Sequence, residues 1–326
     1  MSSSRALTLA IIGAGRTGRA LGKLLHNRGW RIGAVVTRSA ATARAAVRAI
    51  GAGKPLVQFT PEVFAADVIL VTTPDSTIAA TATHLASVAA GLPRHLSPAG
   101  SPRHPSAADL TLHSVGAHLR VRPHALHGKI VLHTSGALDS RVLAPLARCG
   151  AAIGSMHPFQ TFGARAIPNL KGVLFTMEGD PHALRVARRI ARLLGGVPIV
   201  IPARAKPAYH AAGGFAAAHM LALAEAATQL LVALGFPRRR AQRGLLCMAR
   251  ETLDNLEALG PQASWTGPVS RGDLSTVQKH VAALRRFPPE FRAAHAAMLL
   301  LSARVLAADK GARLRRLKRI LEETPQ

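Results

Sequence analysis

The sequence has little cysteine and little aromatic character, with two cysteines in 326 residues and 4% aromatic side chains. Cys149 and Cys247 form neither a CxxC pair nor a metal-ligand spacing, so we expect no disulfide framework and no metal site. A reducing compartment fits this composition best. The first residues lead directly into an apolar strand pattern and a glycine turn, without a signal-peptide pattern, so we expect a cytoplasmic protein.

Acidic residues are also scarce: 16 Asp and Glu stand against 42 Lys and Arg, a formal net charge of +26. Such a charge attracts phosphate groups of any kind. The basic residues are scattered, however, aromatic residues are few, and the sequence has no nucleic-acid-binding motif. We therefore attribute the charge to an arginine-rich composition and expect no specific nucleic-acid partner.

The most apolar later stretch covers residues 211–236 and contains His219, Glu225 and Gln229. A helix that spans a lipid bilayer rarely holds such polar groups at mid-depth. We interpret the stretch as a buried helix or a helix in a subunit contact, and expect no membrane partner.

Length and hydrophobicity predict two domains, because 326 residues with 48% apolar side chains can fill two cores. In the first part, β-rich apolar runs alternate with helical patterns, which is typical of an α/β fold with a doubly wound parallel sheet. Beyond about residue 205 only helices are predicted, broken at 235–237, 260–261 and 287–289. We place the boundary near 203, giving domains 1–203 and 204–326. The predicted strands are 7–12, 32–37, 56–59, 68–73, 129–136, 173–178 and 197–201, and the predicted helices of this part include 17–29, 40–50, 138–149 and 181–195.

Residues 91–128 interrupt this pattern with a stretch rich in Pro, Ser and Gly and poor in periodicity. We predict a surface insertion that is partly mobile. Its six histidines match no metal-binding spacing and are interpreted as solvated loop residues. They are His95, His104, His113, His118, His124 and His127.

A GxGxxG motif stands between the first predicted strand and the first predicted helix, the context that makes this motif specific for a dinucleotide. Gly13 permits the tight turn, Gly15 lets the backbone approach a pyrophosphate, and Gly18 lets helix and strand pack closely. The unpaired N–H groups of the helix face the anion. The alternative is a structural glycine turn. The predicted cofactor loop consists of Gly13, Ala14, Gly15, Arg16, Thr17 and Gly18.

The second strand indicates which dinucleotide binds. An NAD site ends this strand with Asp or Glu, whereas the 2′-phosphate of NADP requires a cation there. Here the strand ends in Thr37, Arg38 and Ser39, and no acidic residue precedes Glu62. Arg38 offers a planar fork for the phosphate and the two hydroxyls lie beside it, so we predict NADP. The alternative is that Arg38 is one more exposed arginine.

Two further turns follow predicted sheet strands, where ligands of such folds bind. Thr73 and Pro74 belong to the turn 72–75, and Ser135 belongs to the turn 134–136. We expect both turns to border the same crevice along the ribose and nicotinamide. Plain strand-ending turns are the alternative.

Five segments together resemble a known family. They are 133–136 (HTSG), 157–160 (HPFQ), 206–212 (KPAYHAA), 265–273 (WTGPVSRGD), and Thr276, Val277 and His280. The sequence resembles the Rossmann-like proteins that carry the C-terminal domain of unknown function 2520, over nearly the whole chain apart from 91–128. That family is similar to the superfamily of 6-phosphogluconate dehydrogenase-like, pyrroline-5-carboxylate reductase-like and F420-dependent NADP reductase-like proteins.

The resemblance implies an NAD(P)-dependent redox enzyme with a dimerising helical domain, and it implies no particular substrate. It also implies that a lysine near the start of the first C-terminal helix acts as acid or base, which at this position is Lys206. Two residues depart from the family pattern. His219 stands where an asparagine is expected, and Trp265 stands where a leucine is expected.

The candidates for proton transfer are Lys206, Tyr209 and His210, because a hydride reaction leaves one proton for the protein to handle. Lys206 and His210 lie one helical turn apart, close enough to share a substrate oxygen. A solvated lysine is the alternative. His219 lies nine residues beyond His210, on the opposite side of an unbroken helix, and is ranked lower.

Arg271 is the candidate for gripping a substrate carboxylate, beside Asp273 in a turn. The alternative is that this pair caps and ties neighbouring helices. His157 and Gln160 are predicted in a loop at the domain junction, as ligand contacts or as packing residues.

The sequence thus predicts an NADP-dependent oxidoreductase that acts on a small carbonyl, 2-hydroxy acid or imine, with an anionic group as an option. The alternative is a non-enzymatic NADP-binding sensor or scaffold. We expect a homodimer formed through the helical domain.

Overall fold

The computed structural model describes residues 7–91, 126–163, 167–309 and 311–323. Almost all of the predicted insertion 91–128, with five of its six histidines, lies outside the described residues. The chain divides into two compact units, Met1–Phe215 and Ala216–Gln326. They are described separately below.

The first unit contains a sheet of eight strands in the order β3-β2-β1-β4-β5-β6-β7-β8. Its centre consists of strands that are apolar and buried on both faces, as expected of a parallel sheet between helical layers. The α/β prediction is confirmed. The strands are β1 Thr8–Ile12, β2 Arg31–Val36, β3 Lys54–Leu56, β4 Val68–Val71, β5 Ile130–His133, β6 Ala152–Pro158, β7 Leu174–Gly179 and β8 Val197–Val200.

Helices connect most of these strands. They are α1 Arg16–His26, α2 Ala40–Ile50, α3 Pro61–Ala65, α4 Asp75–Ala89, α5 Ala144–Ala147, α6 Pro181–Leu193 and α7 Lys206–Gly214. The helix predicted over 138–149 is much shorter: a 3₁₀ turn, Ser140–Leu143, precedes the four residues of α5. Pro145 explains part of this difference, because proline in the first turn supports a helix only after it.

The directions of two strands, β7 and β8, differ from the prediction of a parallel sheet. Strand β7 runs antiparallel to β6, with His157 opposite Thr176, while β8 is again parallel to β7. A parallel connection needs a crossover, usually a helix, and the described residues between β6 and β7 form no helix. The chain therefore returns beside β6 in the opposite direction. Strand β6 itself was not predicted.

The core of the first unit consists of two apolar layers, one on each face of the sheet. Alternate residues of β1 enter opposite layers: Leu9 and Ile11 one, Ala10 and Ile12 the other. Trp30 is buried in the first of these layers, with 4% of its surface exposed.

The second unit is helical in its described residues, as predicted. A π-helical turn, Phe215–His219, joins α7 to α8. The helices are α8 Met220–Ala233, α9 Arg238–Leu259, α10 Pro268–Arg271, α11 Leu274–Ala283, α12 Pro289–Val305 and α13 Ala312–Glu323. The predicted breaks at 235–237 and 260–261 fall between helices, and the break at 287–289 ends at the first residue of α12.

A small core holds helices of the second unit together through Val269, Val277, Ala303 and Leu317. Trp265 packs beside this core. The guanidinium of Arg313 lies over the indole ring of Trp265, 5.6 Å from the ring centre.

Within the described residues, one continuous helical segment, Ala203–Ala233, has the length and apolar composition that could cross a membrane. Several large apolar side chains of α8 are exposed in the single chain, among them Leu221 at 72%. Of the two interpretations of residues 211–236, burial inside the chain does not apply to α8.

Candidate functional site

The glycine turn after β1 has the geometry that each glycine was expected to need. Gly13 has a φ of +84°, and a Cβ there would lie 2.7 Å from the backbone nitrogen of Thr73. A Cβ on Gly18 would collide with the Thr72 hydroxyl, because α1 packs closely on the strands. Gly15, in contrast, faces open space, where its nearest neighbour would be 3.9 Å away. The backbone is therefore accessible at Gly15 and closely packed at the other two glycines.

The end of β2 carries a cluster of hydroxyl groups. The hydroxyl of Thr37 lies 2.7 Å from that of Thr42, and the Ser39 hydroxyl lies 2.9 Å from the same atom. Ser39 also caps α2 by accepting a bond from the Thr42 backbone nitrogen. Arg38 is exposed beside this cluster. Thr42 was not singled out in the sequence because its contact depends on how α2 begins.

The two turns that follow β4 and β5 are joined to each other. Thr72 donates a bond of 2.7 Å to the carbonyl oxygen of Gly13, and Ser135 donates one of 2.7 Å to Asp75. The Ser135 hydroxyl also accepts bonds from two backbone N–H groups that follow it, those of Ala137 and Leu138. This side chain therefore holds the turns 72–75 and 134–136 together.

Lys206 is buried at the start of α7, with 1% of its surface exposed. Its ammonium group donates to the carbonyl oxygen of Ser135 at 3.0 Å and to the hydroxyl of Ser155. This burial excludes the alternative interpretation of Lys206 as a solvated lysine. Ser155 was missed because only the pairing of β5 with β6 brings it opposite His133.

Burial lowers the pKa of Lys206 to about 8, since removal from water disfavours the charged form. The carboxylates of Glu178, Asp139 and Asp75 oppose this shift. The lysine is thereby brought close to neutral pH, where a proton can be given or taken readily.

His157 and Tyr209 form a hydrogen-bonded pair. The Nδ1 atom of His157 lies 2.7 Å from the phenol oxygen of Tyr209. His157 lies within β6, so its prediction in a loop was wrong: the segment pairs with β7 and becomes a strand. Burial raises the pKa of Tyr209, and the nearby Thr176 hydroxyl partly offsets this.

Gly136 makes room for two imidazole rings. A Cβ at this position would lie 2.7 Å from Cδ2 of His210 and 3.0 Å from Nε2 of His157. The two ring centres are 6.2 Å apart. His210 is exposed, while Lys206 on the same helix is buried.

Two buried polar groups support the site from below. His133 accepts a bond from the Ser135 backbone nitrogen on Nδ1, and burial together with the charge of Lys206 lowers its pKa to about 3. Glu178 accepts bonds from the Ser140 backbone nitrogen and hydroxyl at 2.7 and 2.8 Å. The His133 ring is therefore uncharged at neutral pH, and the Glu178 carboxylate is held by two donors of Ser140.

Arg271 belongs to the second unit and is exposed. Its neighbour Asp273 caps α11, because its carboxylate accepts bonds from the backbone nitrogen and hydroxyl of Thr276. The capping role applies to Asp273, and the substrate role of Arg271 stays a prediction. His219 lies in the π-helical turn between α7 and α8.

Two family models match the chain. Residues 8–93 match the family described as NADP oxidoreductase, coenzyme F420-dependent, and residues 173–301 match the domain of unknown function 2520. The chain therefore combines a Rossmann-like NADP oxidoreductase match in its first part with a DUF2520 match that extends through much of its second part. The family resemblance expected from the sequence is confirmed, and no curated protein matches the chain.

Solved structures resemble this Rossmann-like protein over almost its full length. One is a Bacteroides fragilis protein assigned as an NADP oxidoreductase, with a TM-score of 0.64, 19% identity and 98% of both chains covered. Another is a reductive aminase from Aspergillus terreus in complex with NADPH, with a TM-score of 0.61, 17% identity, and 92% and 94% of the two chains covered. A third is an imine reductase from Myxococcus stipitatus in complex with NADP⁺, with a TM-score of 0.60, 16% identity, and 96% and 99% covered. At these identities the likeness shows the fold.

The family of residues 8–93 confirms the broader functional prediction. Residues 8–93 match a family of NADP oxidoreductases, and NADP is the cofactor of that family.

Proposed function

We propose that this protein is an NADP-dependent oxidoreductase that transfers hydride to or from a small carbonyl, 2-hydroxy acid or imine. The observation that carries the proposal is a continuous set of contacts in the first unit. It runs from the glycine turn through the turn 72–75 and Ser135 to Lys206, with His157 and Tyr209 beside it. Cofactor loop and proton-handling residues thus share one scaffold.

The residues present fit a dinucleotide. Gly15 leaves its backbone open to a pyrophosphate, and the buried hydroxyl of Thr73 has no partner within the described residues. A buried hydroxyl without a partner is costly, so a ligand that bonds to it stabilises the site. We assign the pyrophosphate to residues 13–18, the 2′-phosphate to Thr37, Arg38 and Ser39, and the nicotinamide side to Thr73, Pro74 and Ser135.

A bound nicotinamide supplies the hydride, and the protein must orient the substrate and handle one proton. Lys206, Tyr209 and His210 are the residues we assign to this step. Lys206 contributes a positive charge that stabilises negative charge developing on a substrate oxygen. Arg271, in the second unit, is assigned to an anionic group of the substrate.

The choice of substrates rests on chemistry and on structural neighbours. The reductive aminase and imine reductase act on carbonyl and imine compounds by their names, and they share this fold. The hydrogen-bonded pair of His157 and Tyr209 can also donate a proton to the oxygen of a carbonyl or the nitrogen of an imine while its carbon is reduced.

We also propose that the protein is a cytoplasmic homodimer that forms through the helical unit. The exposed apolar side chains on α8 and α9 support this, because monomeric proteins rarely expose large contiguous apolar patches. They include Leu221, Leu223, Leu234, Leu246, Met248, Leu253 and Leu259.

The test is NADPH oxidation, followed at 340 nm across a panel of 2-oxo acids, neutral ketones and cyclic imines, with wild type, K206M and Y209F. Turnover by wild type that falls at least about 100-fold in both variants supports the proposal, since positioned acid–base groups contribute about 10²–10⁴-fold. Tight NADPH binding without turnover of any compound contradicts it and favours the sensor.

A further inference from the structure

We propose that His157 is a positioning residue that acts through Tyr209. In this arrangement the Nδ1–H group of His157 donates to the phenol oxygen, so that the phenol proton is directed at the substrate, and His157 restores that proton after transfer. The inference rests on the proposed function and adds to it a residue for which sequence reasoning left the role open.

The geometry of the pair is specific. Nδ1 lies 2.7 Å from the phenol oxygen, and the rings meet edge to face, with centres 5.5 Å apart at 85°. Phe159 also packs against Tyr209, with 4.9 Å between the two ring centres. A hydrogen bond of this length between rings held by apolar packing fixes the orientation of the phenol oxygen.

The opposite edge of the imidazole lies at Gly136, where a Cβ would be 3.0 Å from Cε1 and Nε2. Because position 136 has no side chain, the ring can sit here with Nδ1 toward the phenol. One nitrogen of the ring therefore contacts Tyr209 while the other is on the far side, as a relay through an imidazole requires.

Burial keeps the ring of His157 neutral. Removal from water, with the charges of Lys206 and His210 on α7 as smaller causes, lowers the pKa of His157 to about 4, and His133 of β5 interacts with it. A neutral imidazole carries one N–H and one lone pair. With the N–H on Nδ1, the phenol oxygen accepts a bond and its own O–H is free to donate.

The proton balance is complete with water as the only additional reactant. As hydride reaches the substrate carbon, Tyr209 gives its O–H proton to the substrate oxygen or nitrogen. His157 gives its Nδ1 proton to the phenolate oxygen while Nε2 takes a proton from water, so the ring stays neutral throughout. The hydroxide left behind is neutralised by the one solvent proton that the reduction consumes. The ring returns to its first tautomer by exchange with water.

The first test needs no substrate, because Tyr209 is the single tyrosine in the sequence. With ¹³Cζ-labelled tyrosine, one NMR signal reports the ionisation of Tyr209. We expect H157F to raise the pKa of Tyr209 by about one unit, because the phenolate loses a donor. H157N keeps a donor and should stay near wild type. H157A serves the same comparison if H157F does not fold.

The control is F159L, which loosens ring packing without removing a polar contact. Loss of burial lowers the pKa of Tyr209, the opposite direction from loss of the donor. An unchanged or lowered pKa in H157F and H157A would overturn the inference.

The second test is a double-mutant cycle on any substrate that the wild type turns over. H157F should lower kcat by about 10- to 100-fold with the NADPH dissociation constant unchanged, and should have less than about a twofold effect in the Y209F background. Multiplicative losses contradict action through Tyr209. Absence of turnover by wild type counts against the proposed function instead, and the NMR titration still decides the role of His157.

Discussion

The ammonium group of Lys206 donates a hydrogen bond to the carbonyl oxygen of Ser135 at 3.0 Å, across 71 residues of sequence. This bond places a buried positive charge directly above the turn after β5. Burial, with the charge of Lys206 as the second cause, lowers the pKa of His133 and of His157, so these two histidines are neutral at pH 7. The site therefore combines a buried cation with two neutral imidazoles and with carboxylates farther along the same turns.

The lowered pKa of Lys206 predicts how stability depends on pH. Its pKa is about 8 in the folded chain and 10.5 when exposed. Between these values the unfolded chain binds more protons, so the free energy of unfolding rises from pH 8 to pH 10.5 and is level below about pH 8, where both states hold the proton. Urea midpoints at pH 7.5 and 10 should show this rise in wild type and not in K206M.

The exposed Lys171 provides the matched control, because K171M removes a lysine without removing a buried charge. Equal pH dependence in wild type and K206M would show that Lys206 is not desolvated.

Arg38 predicts the choice between the two nicotinamide dinucleotides. R38D should raise the dissociation constant for NADPH by about 10- to 100-fold and that for NADH by much less, since a charge-assisted bond to the 2′-phosphate is lost. Calorimetry with both cofactors measures this. R31D makes the same charge change at the start of β2, at the other edge of the sheet, and should leave both constants unchanged. An equal loss for NADPH and NADH in R38D would remove the assignment.

Substitutions at two glycines of the first turn should separate an effect on NADPH binding from an effect on stability. G15A adds a Cβ in open space, so we expect normal stability and weaker NADPH binding, because the methyl group occupies the approach to the backbone. G18A adds a Cβ against Thr72 and should lower the melting temperature. Thermal unfolding and calorimetry on both variants check this. Unchanged NADPH affinity in folded G15A would contradict the assignment of the pyrophosphate.

Gly136 predicts that one added carbon disturbs the histidines. In G136A the methyl group meets both His210 and His157, so we expect turnover to fall by at least about tenfold through misplacement of these rings. G163A is the matched control, because a Cβ there has no neighbour within 4 Å. Steady-state kinetics with NADPH measure the effect, and equal activity of the two variants would argue against a role for the imidazole cluster.

The exposed apolar face of α8 predicts association. We expect wild type to be a dimer, as proposed above, and L221R to be a monomer, because a charge replaces an apolar side chain that is 72% exposed in the single chain. V57R changes an exposed apolar residue of the first unit and should leave the dimer intact. Light scattering after size exclusion reports the mass. A dimeric L221R would locate the contact elsewhere.

The sequence predicted best where the signal is local. The strand, glycine turn and helix over 8–26 follow from residue types at fixed spacing, since Gly13 needs its positive φ and Gly18 its lack of a side chain. The direction of β7 was wrong, because nothing in 174–179 states which way a strand runs beside β6.

The site was predictable only in part for the same reason. Lys206 and Tyr209 stand out in the family motif, but the contact of Tyr209 with His157 spans 52 residues and depends on the position of α7 on the sheet. The partners Ser155 and Thr176 belong to no motif, and Asp75 was predicted only as part of the turn 72–75. Their roles arise from strand register and turn contacts between residues far apart in the chain, and a single sequence does not indicate which distant residues meet.

Each unit contains one tryptophan, Trp30 in the apolar layer of the first and Trp265 beneath Arg313 in the second. Fluorescence of W30F and W265F therefore reports on one unit at a time. Coincident denaturation curves would mean that the two units unfold in a single cooperative transition. Separated curves would give the free energy of unfolding of each unit. The two tryptophans thus allow fluorescence to measure how strongly the stability of one unit depends on the other.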